Sequence, residues 1–524
     1  MRPNSLTGLL AVTVALAVSV AGADPAGDSQ AVAIAQHGDA HGTPPCASCH
    51  GQAGEGNVAG GFPRLAGLPA AYLDAQLNAL ADGTRQSPVM GPLARGLSAQ
   101  ERLQLADYYA ALPAPTSAPT TAAVKLDDRL ALHGRWSEEL PACVQCHGGN
   151  GSGVGSRFPP LTGQSSLYIA NQLHAWKQGT RRGDPLGLMQ TVAGKLSDAD
   201  IRAVSDYFAA QAGGSPSTVS PHEVESRPAP TTSSMTQALF TPPEGPIPDS
   251  EFGKVAELGR RIFEDPAKYA GQYVGNDLSC SNCHLDAGRQ AGAGPLWAAY
   301  VSYPAYRAKN HHVNTFEERL QGCFRYSMNG KAPPLGDPVL VALESYAYWM
   351  AQGAPLTPNI AGRGYPKPAK PALSPDYPRG ARVYAQNCAL CHGDNGEGQR
   401  ANNGSAAFPA LWGPDSFNWG AGMGSVANAA AFIKANMPLG RGGTLSDQDA
   451  WDVGLYMDSH ERPQDPRYTG SVAETRAKFH DGSDWMYGMT VNGHVVGSDS
   501  VPPGPRPVGR RPQKTSTSHE GKSP

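Results

Sequence analysis

The chain of 524 residues is long enough for about three or four small domains. Charged residues make up 17% of it, and a net charge of −3 argues against a protein that binds nucleic acid through a basic surface. Glycine and proline are abundant, with 62 and 47 residues, which favours small, loop-rich lobes over one large core.

The N-terminus has the pattern of an export signal. Met1-Arg2 is followed by an apolar run over Leu9–Val20 and then by Ala21-Gly22-Ala23. A basic start, a short apolar run and small residues at a cleavage site are typical of a secretory signal peptide, and the run is too short to span a bilayer. We therefore expect 1–23 to be a signal peptide and the protein to be soluble in the periplasm. An uncleaved N-terminal anchor is the alternative.

Eight of the nine cysteines lie in four Cys-x-x-Cys-His boxes, a spacing typical of c-type haem attachment. Two thiols on one face of a helical turn can bond to the porphyrin vinyl groups, and the next residue, histidine, then lies under the iron. A single box could arise by chance or form half of a zinc site, but four complete boxes, each ending in histidine, do not arise by chance. We predict four covalently attached haem c groups with their iron. The attachment residues are Cys46, Cys49, Cys143, Cys146, Cys280, Cys283, Cys388 and Cys391, and the proximal ligands are His50, His147, His284 and His392.

Each box opens a similar unit. In the first, second and fourth units it is followed by Phe-Pro-x-Leu, a helical run, a methionine and a Leu-Ser segment before a last helix. The serine is a candidate N-cap, with acidic or amide residues two or three positions later. Repetition of this kind indicates repeated structural units, and here it predicts class I cytochrome c lobes. In each we expect an N-terminal helix that carries the box and a C-terminal helix that crosses it.

The predicted fold class is all-α, with four class I cytochrome c lobes arranged as two diheme halves. Pro113–Thr121 is a short linker, and a longer stretch rich in Ser, Thr and Pro joins the halves, because such composition cannot bury a core. The expected boundaries are 24–112 for lobe 1, 122–212 for lobe 2, 213–244 for the linker, 245–365 for the catalytic lobe 3, 366–465 for lobe 4, and 466–524 for a largely disordered tail.

The sixth iron ligand sets the potential of each haem. Met90, Met189 and Met437 stand 40, 42 and 45 residues after their proximal histidines. A single methionine is more often core filler, but recurrence at matching positions predicts that all three are ligands. Met423 and Lys434 are weaker competitors in lobe 4.

Lobe 3 departs from this pattern. Cys323, the cysteine outside the boxes, stands 39 residues after His284, and an odd thiol in an exported protein calls for an explanation. We expect Cys323 to bind the iron, which would lower the potential and leave a nucleophilic sulfur at the site. Met328, or a bis-histidine haem through His311 or His312, is the alternative. Cys323 would then be a buried thiol or form an intermolecular disulfide.

The segment 301–331 is cationic, which predicts a site for an anion. Arginine binds oxyanions through paired hydrogen bonds, and lysine adds a point charge. One or two of these cations are expected to neutralise haem propionates instead. The five cations are Arg307, Lys309, Arg319, Arg325 and Lys331, against the two anions Glu317 and Glu318.

At these residues the sequence resembles the tetrathionate-forming thiosulfate dehydrogenases, diheme c-type enzymes with His/Cys ligation of the active-site haem. The resemblance covers about 245–465, and the preceding half is similar to the tandem diheme cytochromes that accept electrons from such enzymes. The chain thus resembles a fusion of acceptor and enzyme. The motifs are Cys280-Ser281-Asn282-Cys283-His284, Pro295-Leu296-Trp297-Ala298-Ala299-Tyr300, Cys323-Phe324-Arg325-Tyr326-Ser327-Met328-Asn329-Gly330 and Gly413-Pro414-Asp415-Ser416-Phe417-Asn418.

The resemblance implies that two thiosulfate ions are converted to tetrathionate, in a reaction that can run in either direction. Cys323 would be both the distal ligand and the covalent carrier of sulfur. Electrons would pass through the His392 haem to the two N-terminal haems and then to a soluble or membrane-bound acceptor. Arg319, Arg325 and Lys309 would bind sulfonate oxygens, and Ser327 would donate a hydrogen bond.

One departure from the family concerns the fourth haem. Some relatives carry an adjacent Lys-Met pair there, with a ligand switch. This chain has Asn436-Met437 instead, which favours plain His/Met ligation.

Other functions remain open at this level. A cysteine-ligated thiosulfotransferase would also use Cys323 but would attach thiosulfate to a carrier protein. In a tetraheme electron carrier without catalysis, Cys323 would be structural. A diheme peroxidase is the weakest alternative.

Overall fold

The structure, a computed structural model, describes residues 25–39, 42–58, 60–115, 128–211, 239–307, 310–357 and 359–504. The predicted signal peptide, the greater part of both linkers and Lys309 lie outside the described residues. Within these ranges the fold is helical, with three short antiparallel ribbons of two strands each. The predicted all-α class with cytochrome c lobes is confirmed.

Lobe 1 packs its first and last helices together over a small core that includes Leu73, Leu105 and Tyr109. The last helix begins at Ser98, whose hydroxyl accepts from the Glu101 amide while the Glu101 carboxylate accepts from the Ser98 amide. This capping box satisfies amide groups that the helix itself leaves unpaired. The helices are α1 (Pro25–His37), α2 (Ala47–His50), α3 (Ala70–Asp82), α4 (Met90–Gly96) and α5 (Ala99–Ala111).

Lobe 2 repeats this arrangement, and Ser197 and Asp200 form the equivalent capping box. The two lobes meet across a symmetric contact. Arg85 donates to the hydroxyl of Tyr168 at 2.9 Å, and Arg181 donates to the hydroxyl of Tyr72 at 3.4 Å. The helices are α6 (Arg129–Leu132), α7 (Cys143–His147), α8 (Ser166–Lys177), α9 (Leu188–Gly194) and α10 (Asp198–Ala210).

Lobe 3 has the largest core, built where its first long helix crosses its last. Gly259 allows this crossing, because a Cβ at that position would lie 1.9 Å from the carbonyl oxygen of Ala342. The elements are α11 (Glu251–Glu264), α12 (Pro266–Tyr269), α13 (Leu285–Gly288), α14 (Leu296–Tyr300), β1 (Ala305–Arg307), β2 (His312–Asn314), α15 (Phe316–Gly322) and α16 (Pro338–Met350), and β1 pairs with β2.

Lobe 4 has the same crossing, with Gly380 against the carbonyl oxygen of Asp452. Its last helix begins at Ser446, whose hydroxyl accepts from the amide of Asp449 at 3.0 Å. The elements are α17 (Tyr377–Asn387), α18 (Ala389–His392), β3 (Gln399–Arg400), β4 (Ala406–Phe408), α19 (Val426–Asn436) and α20 (Asp447–Asp458), and β3 pairs with β4.

The prediction of a largely disordered tail is wrong for residues 466–504. They form α21 (Val472–Phe479) and the strand pair β5 (Thr490–Val491) and β6 (His494–Val495), while 505–524 lie outside the described residues. Tyr487 is fully buried against Trp419 of lobe 4, with ring centroids 5.4 Å apart. The segment is ordered because its aromatic and charged side chains pack against lobe 4, which local composition does not reveal.

The prediction that each N-terminal helix carries its haem box is also wrong. In lobe 1 the helix α1 ends at His37 and the box lies on the separate helix α2. In lobe 3 the box begins with a short 3₁₀ turn over Cys280–Asn282. The backbone is not helical directly after the box, because Asp286 and Ala287 have φ of 53° and 48°. Only in lobe 4 does the long helix lead directly into the box.

In the part of the chain that the structure describes, no helix has both the length and the apolar character needed to cross a bilayer.

Candidate functional site

The four box histidines are held in the same way. Each presents Nδ1 to a main-chain carbonyl, at 2.9 Å in lobe 1, 2.8 Å in lobe 2, 2.5 Å in lobe 3 and 2.9 Å in lobe 4. A carbonyl only accepts, so Nδ1 carries the proton and the Nε2 lone pair is left for a metal. The pairs are His50 with Pro63, His147 with Pro159, His284 with Gly294 and His392 with Pro409.

Burial keeps these histidines neutral, which is the form that binds iron. It lowers the pKa of all four, and that of His284 reaches about 4 even though the hydrogen bond to Gly294 opposes the shift. The sequence predicts the histidines but not their carbonyl partners. The Phe-Pro-x-Leu repeat supplies these in lobes 1, 2 and 4, and Gly294, directly before Pro295, takes that place in lobe 3.

The box cysteines suit thioether attachment. No two of the nine cysteines form a disulfide with each other. Burial raises the pKa of Cys143 and Cys388 to about 12 and that of Cys146 to about 11. Paired, partly buried thiols followed by a histidine whose Nε2 is left for a metal have the chemistry needed for haem c. The chain carries four covalent haem c groups.

The predicted distal methionines lie at or near helix ends, between the box and the last helix of each lobe. Met90 begins α4, Met189 lies near the start of α9, and Met437 directly follows α19. Met437 and its competitor Met423 both pack in the lobe 4 core and at the contact with lobe 3. Lys434 is a poorer candidate, because its ammonium group donates to the carbonyl of Leu445. Ligation by the three methionines stays a prediction.

Cys323 occupies a special backbone position. The helix α15, which Thr315 and Glu318 begin with a capping box, ends at Gly322, and a π-helical turn follows over Cys323–Ser327. Such single π turns inside or after a helix occur often at functional sites. The turn changes the helical repeat at the very residue that carries the odd thiol.

Arg319 lies one turn before Cys323 and binds it. Its Nη1 donates to the Sγ of Cys323 at 2.9 Å. The interaction with the thiol raises the pKa of Arg319 even though burial opposes it. The contact gives the sulfur of Cys323 a charged hydrogen-bond donor held at a fixed place beside it.

Cys323 and Arg319 face the haem box of lobe 3. Burial, and then the Cys323 thiol, raise the pKa of Cys283 to about 11. Arg319 contributes to the lowered pKa of His284. The structure therefore brings together the thiol, the guanidinium and the box that the sequence links only by spacing.

The alternatives to Cys323 are less well placed. His311 and His312 are both exposed, and His312 lies 3.2 Å from the carboxylate of Glu318. Met328 is 3% exposed and packs in the hydrophobic core of lobe 3.

The predicted cations are not all gathered at the thiol. Arg325 and Lys331 are exposed, and Arg307 donates to the hydroxyl of Tyr303 at 3.2 Å. The carbonyl of Ser327 accepts from Asn276 at 3.0 Å. For the other three predicted cations within the described ranges, Arg307, Arg325 and Lys331, no contact with Cys323 like that of Arg319 is seen.

Comparison with known proteins gives matches along the described lobes. Residues 35–112 and 140–211 match the family Cytochrome c, 267–356 match SoxA/TsdA, cytochrome c domain, and 375–457 match Cytochrome C oxidase, cbb3-type, subunit III. A thiosulfate dehydrogenase of Thiomonas intermedia is 63% identical over 268 residues, which are 51% of this chain and 85% of that protein. The chain belongs to the thiosulfate dehydrogenase family.

The chain is also similar to an electron acceptor of thiosulfate dehydrogenase and to a solved TsdBA structure. The thiosulfate dehydrogenase electron acceptor of Thiomonas intermedia is 52% identical over 171 residues, which are 32% of this chain and 78% of that protein. A solved structure of a thiosulfate dehydrogenase (TsdBA) from Marichromatium purpuratum is 44% identical, covers 90% of this chain and 100% of that one, and has a TM-score of 0.81. The predicted fusion of acceptor and dehydrogenase is thereby confirmed.

The acceptor half meets the dehydrogenase half between lobes 2 and 4. The rings of Phe158 and Phe408 have centroids 5.1 Å apart, and the same apolar cluster includes the box cysteines Cys146 and Cys391. Burial, and then the nearby Cys146, raise the pKa of Cys391 to about 12. Trp136 of lobe 2 also packs at the contact between lobes 3 and 4.

Sequence reasoning missed the residues that support the Cys323 turn from outside lobe 3. Asn418 is fully buried and donates from Nδ2 to the carbonyl of Arg325 at 2.9 Å. Arg467 of the tail lies over the ring of Tyr326 at 5.2 Å. The Gly413–Asn418 motif marked the segment without indicating its contacts, and nothing in the tail pointed to this site.

Proposed function

We propose that this protein oxidises two thiosulfate ions to tetrathionate at Cys323 and passes two electrons through lobe 4 to the N-terminal lobes. The observation that carries the proposal is the contact between Arg319 Nη1 and Cys323 Sγ at 2.9 Å beside the haem box of lobe 3. It occurs in a chain that is 63% identical over its C-terminal half to a thiosulfate dehydrogenase.

The Cys323 thiolate acts as the sulfur carrier. Its Sγ bonds to the terminal sulfur of a first thiosulfate with loss of two electrons. A second thiosulfate attacks that sulfur, the bond to Sγ breaks, and tetrathionate leaves with the thiolate restored. Cys280 and Cys283 would hold the haem and His284 and Cys323 would bind its iron, and the bound group would supply a one-electron acceptor beside the thiol.

The local cations offset the repulsion between two dianions. Arg319 has one guanidinium nitrogen on Cys323, so its others can bind a sulfonate oxygen beside the reacting sulfur. We assign the same function to Arg325 and Lys309, with Ser327 as a hydrogen-bond donor. Arg319 is the best supported of these, because it alone has a described contact with the thiol.

Lobe 4 would receive the electrons next, at a haem whose iron His392 and Met437 would bind. Methionine ligation raises the potential of a haem, so electrons would be drawn there from the site in lobe 3. Asn436 replaces the neighbouring lysine of some relatives, so we expect the same ligand in both oxidation states. The reaction can run in either direction, according to the potential of the partner.

Lobe 2 then takes the electrons before lobe 1. The support is the contact of Phe158 with Phe408, which lie beside His147 and His392 with ring centroids 6.4 Å apart in each lobe. Attachment in one chain replaces a diffusional encounter with a high effective concentration. The final acceptor is a separate soluble or membrane-bound protein, and the expected site of the reaction is the periplasm.

Two other functions predict different products. A thiosulfotransferase would use Cys323 but would transfer the sulfur to a carrier protein without free tetrathionate. An electron carrier would not need Cys323 at all. The polar contact of Cys323 with Arg319 favours a reactive thiol over a structural one.

The test is anaerobic mixing of the oxidised four-haem protein with thiosulfate, with the haem absorption bands and the tetrathionate produced followed together. We expect one tetrathionate for each two electrons that reach the haems, and loss of both signals in Cys323→Gly. Haems reoxidised by tetrathionate, but never reduced by thiosulfate, would limit the enzyme to the reverse direction. Absence of a response to either anion would refute the proposal.

A further inference from the structure

The turn that carries Cys323 is held from outside its own lobe. After α15 ends, the carbonyls of Cys323 and Phe324 accept from Met328 and Gly330 within the turn. Carbonyls at the end of a helix need partners, and buried ones left unpaired are costly. The carbonyls of Arg325 and Ser327 find theirs on other segments, and the carbonyl of Tyr326 accepts both from the nearby Asn329 amide and from another segment.

Asn418 of lobe 4 supplies two of these partners. Its Nδ2 donates to the carbonyl of Arg325 at 2.9 Å, and its main-chain amide donates to the carbonyl of Tyr326 at 3.1 Å. The same Nδ2 donates to Oδ1 of Asn329 at 3.1 Å. Asn418 is 0% exposed, so water does not compete for these hydrogen bonds.

Asn276 completes the set. Its Nδ2 donates to the carbonyl of Ser327 at 3.0 Å and to the carbonyl of Ser416 at 3.1 Å. It therefore ties the end of the turn to the same lobe 4 segment that carries Asn418. Asn276 is itself buried.

Gly420 of lobe 4 packs against the side of the turn that carries Tyr326. A Cβ at this position would lie 2.3 Å from Cδ1 of Tyr326, so the Tyr326 ring packs directly on the glycine backbone. Arg467 covers the same ring from the tail, with Cζ 5.2 Å from its centroid. No side chain fits at 420 unless Tyr326 moves.

We propose that the 416–420 segment of lobe 4 positions the Cys323 thiol for reaction, with Asn418 as the main positioning residue. The inference rests on the proposed function of Cys323, since it assigns what holds that thiol in place. Asn418 touches neither the thiol nor a haem attachment residue and acts through the backbone of the turn. The active site of lobe 3 is therefore incomplete without lobe 4.

This segment also connects the two haem sites of the dehydrogenase half. Pro409, whose carbonyl orients His392, lies only nine residues before Asn418 along the chain.

The test compares Asn418→Ala with Asn428→Ala in the full four-haem protein. Asn428 is an exposed asparagine of the same lobe, whose Nδ2 donates to the carbonyl of Gly422 at 2.8 Å. We expect Asn418→Ala to lower kcat about 10- to 100-fold, the usual effect of removing a group that orients a metal ligand. In the electron paramagnetic resonance spectrum, the single signal expected for the ferric haem bound by Cys323 should become a mixture of signals. The signals of the other three haems should stay unchanged. Asn428→Ala should match the wild type.

A second variant covers the case in which Asn418→Ala does not assemble. Gly420→Ala keeps the Asn418 side chain but forces the Tyr326 ring away, since the added Cβ would lie 2.3 Å from Cδ1 of that ring and 3.2 Å from Oδ1 of Asn418. We expect the same mixed signal and a lower kcat. Wild-type spectra and kcat in either correctly assembled variant would overturn the inference.

Cys323→Gly, measured in parallel, separates this inference from the function on which it rests. If Cys323→Gly loses turnover while Asn418→Ala keeps it, only the positioning role fails. If Cys323→Gly itself retains the wild-type spectrum and turnover, the proposed function fails.

Discussion

At the residue scale, the chemistry depends on the state of one sulfur atom. The thiols of the haem boxes and the thiol of Cys323 differ in their surroundings. Burial raises the pKa of Cys143 and of Cys388 to about 12. Cys323 instead has a charged donor, because Nη1 of Arg319 lies 2.9 Å from its Sγ. Such charge-assisted hydrogen bonds are stronger than neutral ones.

Replacing Arg319 tests this contrast. A hydrogen bond to a charged group contributes about 1.5–3 kcal/mol, so we expect Arg319→Met to lower kcat/KM for thiosulfate by about 10- to 150-fold. Arg261→Met, which removes an exposed arginine of the same lobe, should change it less than about threefold. Equal losses in the two variants would mean that general charge, and not the contact with Cys323, matters.

The sixth ligand of lobe 4 can be tested with a matched pair of variants, because Met437 and Met423 share one environment. We expect Met437→Ala to lose one of the three methionine–iron charge-transfer bands and to lower the potential of that haem. Met423→Ala should keep all three bands. The reverse result would assign the ligand to Met423.

Much of the site could be predicted at this scale, because its residues stand at characteristic spacings in the sequence. The Cys-x-x-Cys-His boxes recur along the chain, and Cys323 stands 39 residues after His284, near the spacing of the methionines in the other lobes. Asn418 could not be predicted, because its partner carbonyls lie about ninety residues away in sequence. Asparagine in a Gly/Pro-rich stretch is normally interpreted as a turn residue.

At the element scale, the tail is the largest difference between expectation and structure. It is short of long apolar runs, so its composition favours disorder, yet α21 and its ribbon pack on lobe 4. Tyr487 and Trp485 were the available signals, since bulky aromatic side chains are seldom left in disordered segments. A buried ionic cluster anchors the start of the tail: Asp465 accepts from Nε2 of His480 at 2.8 Å and from Arg467 at 2.7 Å.

This cluster makes the attachment of the tail dependent on pH. Burial alone would raise the pKa of Asp465, but the hydrogen bonds from His480 and Arg467 outweigh it and hold that pKa below its ordinary value. A depressed carboxyl pKa adds stability above the unfolded value of about 4, and this stability is lost as pH falls through the folded value. The tail should therefore loosen in acid and not in base.

Asp465→Asn should lower the free energy of unfolding at neutral pH by about 3–5 kcal/mol, the usual cost of breaking a buried ion pair. The difference from the wild type should shrink as pH falls below about 4. Hydrogen exchange of the α21 amides measures both effects, with Asp481→Asn as an exposed control. A difference that is independent of pH would exclude the ionic origin.

At the scale of the whole molecule, the order of the lobes in space differs from their order in sequence. Lobe 4 contacts lobe 3 through the Asn418 segment and lobe 2 through Phe408, so it lies between the reaction site and the acceptor half. The repeated boxes predict four lobes, but repetition carries no information about which lobes touch. Those contacts depend on side chains that differ between repeats, such as Trp136.

The lobe order predicts which aromatic contact limits the transfer of electrons between halves. Phe62, Phe158 and Phe408 occupy the same repeat position, but only the last two meet each other, at 5.1 Å. We expect Phe408→Leu to slow reduction of the N-terminal haems severalfold in stopped-flow mixing with thiosulfate, without slowing reduction of the C-terminal pair. Phe62→Leu should leave this step unchanged. A slower step in Phe62→Leu alone would place the entry point in lobe 1.

The central claim is that Cys323 carries the sulfur, and mass spectrometry of the enzyme quenched with acid during turnover tests it most directly. After one equivalent of thiosulfate, we predict a mass increase of one thiosulfate on the peptide that contains Cys323, removed by a second equivalent as tetrathionate appears. Arg319→Met should accumulate less of the adduct. Tetrathionate formed at the wild-type rate with no adduct on Cys323, or by Cys323→Gly, would contradict the account.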